Sequence, residues 1–129
     1  MLQPSTVVAV VEDDPSMRRS IERLLGAHGF AAECFASARE FLDFDASSRA
    51  ACLVLDIHLD GMSGLELRAR LRASGSALPV IFITAMDDLA LEREAMKVGC
   101  VAYLRKPFAG ELLIGAIKKA VADPQSDKR

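Results

Sequence analysis

Six side chains of this 129-residue chain could do chemistry together if folding brought them to one place. They are the run Glu12-Asp13-Asp14, the acid Asp56, the hydroxyl of Thr84 and the ammonium of Lys106. Carboxylates held a few ångströms apart repel and raise one another's pKa. A hard divalent cation with oxygen ligands relieves that repulsion, and Mg2+ favours one or two carboxylates, waters and a phosphate oxygen. A lysine and a hydroxyl suit two further phosphate oxygens. The chemistry suggested is phosphoryl transfer, with an aspartate as nucleophile and positive charge around the group in transit. Asp56 raises this most sharply, because it ends the apolar run Leu53-Val54-Leu55. Burying a carboxylate without a partner is costly. Each residue alone has a plainer reading: a solvated turn for the three acids, a helix cap for Asp56, a strand end for Thr84, a surface charge for Lys106. The cap reading is weakened because Ser63 already suits the next helix.

Two alternating patterns supply the elements that must position these groups. Short apolar or β-branched runs at 6–11, 32–35, 52–55, 80–84 and 101–104 read as strands. Pro15 opens a helix carrying Met17, Ile21, Leu24 and Leu25 at helical spacing, and Gly29 ends it. Ser37 with Glu40, and Ser63 with Glu66, form capping boxes for the second and third helices. The third helix should turn Leu67 and Leu71 inward and Arg68, Arg70 and Arg72 to solvent. Asp87 or Asp88 caps a fourth helix with Leu91, Ala95 and Val98, stopped by Gly99. A fifth helix spans 109–122 with Leu113, Ile117, Ala120 and Val121 inward.

The order is βαβαβαβαβα, and strands 1, 3 and 4 are apolar nearly throughout. That is the pattern of an α/β fold whose parallel sheet is covered by helices on both faces. Right-handed crossovers make it an open, doubly wound sheet. Functional groups of such sheets collect at the carboxyl ends of the strands. Glu12, Asp13 and Asp14 follow strand 1, Asp56 follows strand 3, Thr84 ends strand 4, and Lys106 follows strand 5.

Bulk properties narrow the function classes. The length suits one domain with a real core. A net charge of −2 gives no sign of a nucleic-acid-binding surface. No apolar run reaches the ~18–20 residues that span a bilayer. The N-terminus lacks the basic region of a signal peptide. Cys34, Cys52 and Cys100 are widely spaced and odd in number, which reads as reduced thiols in a cytoplasmic protein. The polar end ADPQSDKR reads as a linker or tail. Met62, Met86 and Met96 read as gap fillers.

Four segments in order, VVEDDPSMRR, LVLDIHLDGMSGLEL, VIFITA and YLRKPF, together resemble the receiver domain of bacterial two-component response regulators. The resemblance covers residues 6 to 121. FASAREFL and MKVGCVAYLRKPF bring it nearest the nitrogen-fixation regulator type, which usually precedes a helix-turn-helix DNA-binding domain. It implies a flavodoxin-like strand order 2-1-3-4-5, a receiver domain over 1–122 and a linker or tail over 123–129. Asp56 matches the phosphoacceptor. Asp13 matches a direct Mg2+ ligand, Glu12 a ligand through water, and the backbone carbonyl of His58 a third protein ligand. Asp14 is then an extra acid facing solvent. Thr84 matches the switch hydroxyl, Lys106 the phosphate-pairing lysine, and Lys106–Pro107 the family's cis peptide. Tyr103 matches the switch aromatic.

Asp60 stands where the family usually has proline, adding an acid near the metal site. The partners implied by the resemblance are a sensor histidine kinase, a second copy on phosphorylation, and an output domain, which in the nitrogen-fixation regulator type is usually DNA-binding. The face for the last two would include Leu91, Glu94, Ala95, Tyr103, Leu112 and Ala116. Two other readings fit parts of the pattern. A haloacid-dehalogenase-like phosphatase would need a second aspartate where His58 stands. A receiver-like interaction module would not need the intact acid, hydroxyl and lysine set.

Overall fold

A computed structural model describes residues 5–44 and 48–122 of the chain. The tail expected at 123–129 lies outside the described residues. Ten elements follow in order: β1 (Val7–Val11), α1 (Pro15–Ala27), β2 (Ala31–Phe35), α2 (Ala38–Phe44), β3 (Cys52–Asp56), α3 (Gly64–Ala73), β4 (Val80–Thr84), α4 (Leu89–Val98), β5 (Ala102–Arg105) and α5 (Gly110–Ala122). The strands form one five-stranded parallel sheet in the order β2-β1-β3-β4-β5.

Side-chain alternation in the central strands builds two cores. Ala9, Val11, Leu53, Leu55, Val80 and Phe82 face one side and meet Phe41 of α2, Leu67 and Leu71 of α3 and Ala95 of α4. Val8, Val10, Cys52, Val54, Ile81 and Ile83 face the other and meet Ile21 and Leu25 of α1 and Leu113 and Ile117 of α5. Both faces of β3 and β4 are therefore covered, which is why these strands carry no polar residue before their last position. Each fully buried leucine or isoleucine contributes about 1.5–3 kcal/mol.

Register aligns the strand ends. Val11 pairs with Leu55, Asp56 with Ile83, and Thr84 with Arg105. The residues after β1 and β5 and the last residues of β3 and β4 thus share one edge of the sheet.

The helix ends follow the expected chemistry. Asp14 accepts from the Ser16 amide at 3.0 Å and caps α1, with Pro15 at its first position. Ser63 accepts from the Glu66 amide at 3.1 Å and caps α3. Asp88 is the cap of α4, accepting from the amides of Ala90 and Leu91. Gly99 ends α4 at φ +92°, a backbone conformation in which a side chain is strained.

Three expectations need correction. Arg68 does not face solvent: it is 1% exposed. Its Nε donates to the Gly99 carbonyl at 2.9 Å and its Nη1 to the Leu78 carbonyl at 3.2 Å. Those carbonyls lie at the α4–β5 and α3–β4 junctions, where no strand or helix supplies donors, and buried backbone oxygens need partners. Arg72 reinforces the junction through Nη1 to the Val98 carbonyl at 2.7 Å. Ala95 is fully buried, so it belongs to the core and not to an outer face. Met86 and Met96 are exposed and fill no core gap, while Met62 packs against the core.

Candidate functional site

The β1–α1 turn presents its acids through a closed set of hydrogen bonds. Glu12 is fully buried. Its amide donates to the Phe35 carbonyl, continuing the ladder one residue past β1. The Asp14 amide donates back to Glu12 Oε2 at 3.1 Å. Arg18, one turn into α1, donates from Nη1 to the Glu12 carbonyl at 2.8 Å. Asp13 is half-buried, and Asp14 is exposed as expected.

Asp56 closes β3 and is 4% exposed. Its Oδ1 accepts the His58 amide at 2.9 Å, and its Oδ2 accepts Lys106 Nζ at 3.1 Å. Lys106 also donates to Glu12 Oε1 at 2.7 Å. One ammonium therefore joins two carboxylates from segments 94 and 50 residues away in the chain. This answers the puzzle of an acid at the end of an apolar strand: it is buried with a partner cation and a backbone donor. Backbone constraints bring these groups in. The Lys106 amide donates to the Thr84 carbonyl, and the Lys106–Pro107 peptide is cis. The Gly64 amide donates to the Ile57 carbonyl at 2.9 Å. A Cβ on Gly64 would overlap the Asp56 carbonyl oxygen. Only glycine lets α3 start this close to the end of β3.

The site's electrostatics are unbalanced. Burial pushes the Glu12 carboxyl up to about 7; Asp56 adds to the rise, and Lys106 and the Asp14 amide oppose it. Burial also works against the Lys106 ammonium, but Glu12 and Asp56 outweigh it and hold its pKa above the ordinary lysine value. Ligand oxygens of Glu12, Asp13 and Asp56 lie within 4.8 Å of one another. Three carboxylates and one ammonium leave excess negative charge, and an all-oxygen donor set fits a hard divalent cation.

Thr84 is buried at the end of β4, one residue past the partner of Asp56, and its Oγ1 accepts the Met86 amide at 3.1 Å. Tyr103 packs against the core from β5, and its buried hydroxyl has no hydrogen-bond partner among the described residues. His58 is exposed, and so is Asp60. Arg105 pairs with Asp87 at 2.8 Å, linking β5 to the β4–α4 loop.

The description of the response regulator receiver domain family matches residues 8–118. The chain belongs to that family. This receiver domain is 41% identical over 123 residues to Nodulation protein W of Bradyrhizobium diazoefficiens, covering 95% of this chain and 53% of that protein. It is 37% identical over 114 residues to the transcriptional regulatory protein FixJ of the same organism, covering 88% and 56%. The crystal structure of full-length FixJ from B. japonicum superposes with a TM-score of 0.88 at 34% identity, over 96% of this chain and 61% of that one. The chain spans about half the length of the curated relatives it matches. Membership makes it a phosphoacceptor signalling domain and not a metabolic enzyme. No helix among the described residues is long and apolar enough to cross a membrane.

The structure brings Glu12, Asp13, Asp56 and Lys106 of the expected set into one cluster, with Thr84 at the adjoining strand end. Gly64 and Arg18 were not among the expected site residues. Gly64 leaves a weak trace, a glycine directly after the cap Ser63. Arg18 lies inside the motif Met17-Arg18-Arg19, but nothing in the sequence says that it reaches back to Glu12.

Proposed function

We propose that Asp56 is the phosphoacceptor of this receiver domain and that its donor is the phosphohistidine of a sensor histidine kinase. A carboxylate oxygen of Asp56 attacks phosphorus, an O–P bond forms, the N–P bond breaks, and the imidazole nitrogen leaves with the electron pair. Lys106 holds the attacking carboxylate and stays beside the charge that develops on the phosphoryl oxygens. Glu12, Asp13, Asp56 and the His58 carbonyl would hold Mg2+, which when bound supplies positive charge for those oxygens. The observation that carries the reading is the Lys106 ammonium shared between Asp56 and Glu12.

Signal output follows from the neighbours of the acceptor. Thr84 turns toward the new oxygens, and Tyr103 takes the space it leaves, beside Pro107 on the same edge. The surface of α4, β5 and α5 then changes shape. That surface carries Leu89, Met96 and Leu112, each more than half exposed at 68%, 53% and 59%. It serves homodimerisation or contact with an output domain in the full protein, transcriptional by similarity to the relatives above. The setting is the cytoplasm, where kinase and regulator meet.

Incubation with acetyl phosphate and Mg2+, followed by intact-mass measurement, tests the proposal. One phosphoryl adduct is expected on the native chain and none on Asp56→Asn. An adduct that survives Asp56→Asn, or no adduct on the native chain, refutes it.

A further inference from the structure

Glu12 and Asp13 sit side by side but are held in opposite ways. Every polar atom of Glu12 is engaged: its amide by Phe35, Oε1 by Lys106, Oε2 by the Asp14 amide, its carbonyl by Arg18. The Asp13 carboxylate has no hydrogen bond or ion pair among the described residues, yet it belongs to the same cluster of oxygens. Its aim must come from the backbone. The peptide linking Glu12 to Asp13 carries the Glu12 carbonyl and the Asp13 N–H; among the described residues only the carbonyl has a partner, the Arg18 guanidinium at 2.8 Å.

Arg18 is well placed for this. Helical side chains lean toward the N-terminus of their helix, so a long side chain on the second turn reaches the residues before the first. Its own amide donates to the Asp14 carbonyl at 2.9 Å. Main chain and side chain of Arg18 thus bracket Asp13 from both sides.

We propose that Arg18 is a positioning residue for the cation site: by fixing the Glu12 carbonyl it fixes the Glu12–Asp13 peptide plane and so aims the Asp13 carboxylate at the position shared with Glu12 and Asp56. The proposal rests on the reading of that cluster as the Mg2+ site. Its sign is distinctive. If Arg18 acted only as a positive charge near the site, removing it would tighten Mg2+ binding. If it acts by position, removing it weakens binding.

Calorimetric titration of the chain with MgCl2 separates these outcomes. Arg18→Ala is expected to weaken Mg2+ binding about tenfold, the low end of the range for groups that orient metal ligands. Arg18→Lys, which keeps the charge and one donor end, should lose less. Arg19→Ala, an exposed neighbour, should bind as the native chain does. In the metal-free protein, Arg18→Ala should speed exchange of the Asp14 amide, which is bonded to Glu12 Oε2, while core amides of β3 stay protected. If Arg18→Ala does not fold, the Arg18→Lys titration decides. Unchanged or tighter Mg2+ binding in the folded variants overturns the proposal. A native chain that binds no Mg2+ overturns both it and the metal reading beneath it.

Discussion

Glu12 carries a conflict that folding leaves unresolved. Burial raises its pKa to about 7, while the cation site proposed here needs it ionised. An acid whose folded pKa lies above its unfolded value of about 4.5 favours folding most below that value and loses this contribution as pH rises through the folded pKa. Metal-free protein should therefore lose stability between about pH 4.5 and 7, by at most about 1.4 kcal/mol per pH unit from this group. Urea denaturation of native chain and Glu12→Gln at several pH values checks it: the variant should show the flatter profile, and parallel profiles would contradict the assignment. Mg2+ should stabilise the native chain more at pH 8 than at pH 5.5, because its ligand is then already charged. Tyr103 makes a second residue-level case. Its buried hydroxyl lacks a partner among the described residues, and a buried unpaired polar group costs about 1–3 kcal/mol. Tyr103→Phe should raise the unphosphorylated chain's unfolding free energy by about 1 kcal/mol, measured by chemical denaturation. A loss of stability would mean that the hydroxyl has a partner in solution. Asp56 was legible as an unusual charge from its place after an apolar run, whereas Lys106, next to Arg105, was singled out by the resemblance. The burial of Glu12 beside half-buried Asp13 was not, because two adjacent acids in a turn look alike until the ladder to Phe35 decides which one turns inward.

At the scale of elements, α4 has the thinnest attachment. Ala95 is its one buried residue, and its ends are held by polar groups: Asp88 at the start, Arg68 and Arg72 at the finish. Removing a buried donor strands its acceptors, so Arg68→Met should cost about 3 kcal/mol through the Leu78 and Gly99 carbonyls. Arg72→Met, at an exposed position, should cost under about 1 kcal/mol. Equal losses in denaturant titrations would show that burial does not separate the two arginines. Strands and caps were legible because periodicity and capping are local. Arg68 was misread for the same reason. Arginine next to an inward leucine reads as a solvent residue unless one knows that loop carbonyls from 78 and 99 converge there, and that is set by how α3 meets α4. Its Gly99 partner left a visible mark as a helix stop, but not as a surface on which guanidinium groups rest. A Cβ there would come within 2.9 Å of Arg72 Nη1.

For the molecule as a whole, the proposed acceptor edge and the proposed output surface are distinct regions joined through β4 and β5. The alternating pattern of runs made the doubly wound sheet readable, and the order of motifs along the chain gave its strand order by resemblance. What chain order does not convey is which outer residues stay uncovered. Ala95 was expected there and is buried, whereas Leu89 and Met96 are exposed. The proposed output predicts that phosphorylation with Mg2+ raises the apparent mass in solution toward that of a dimer. Light scattering on the native chain and on Met96→Glu checks this; the charged variant should remain monomeric while still taking up the phosphoryl group. Dimerisation unaffected by Met96→Glu would move the interface elsewhere.

Lys106 touches Glu12 and Asp56 from 94 and 50 positions downstream. During synthesis the acids emerge first and stay without their counter-cation until the fifth strand has left the ribosome and docked. A chain that stops before β5 therefore leaves Glu12 and Asp56 without the ammonium that joins them.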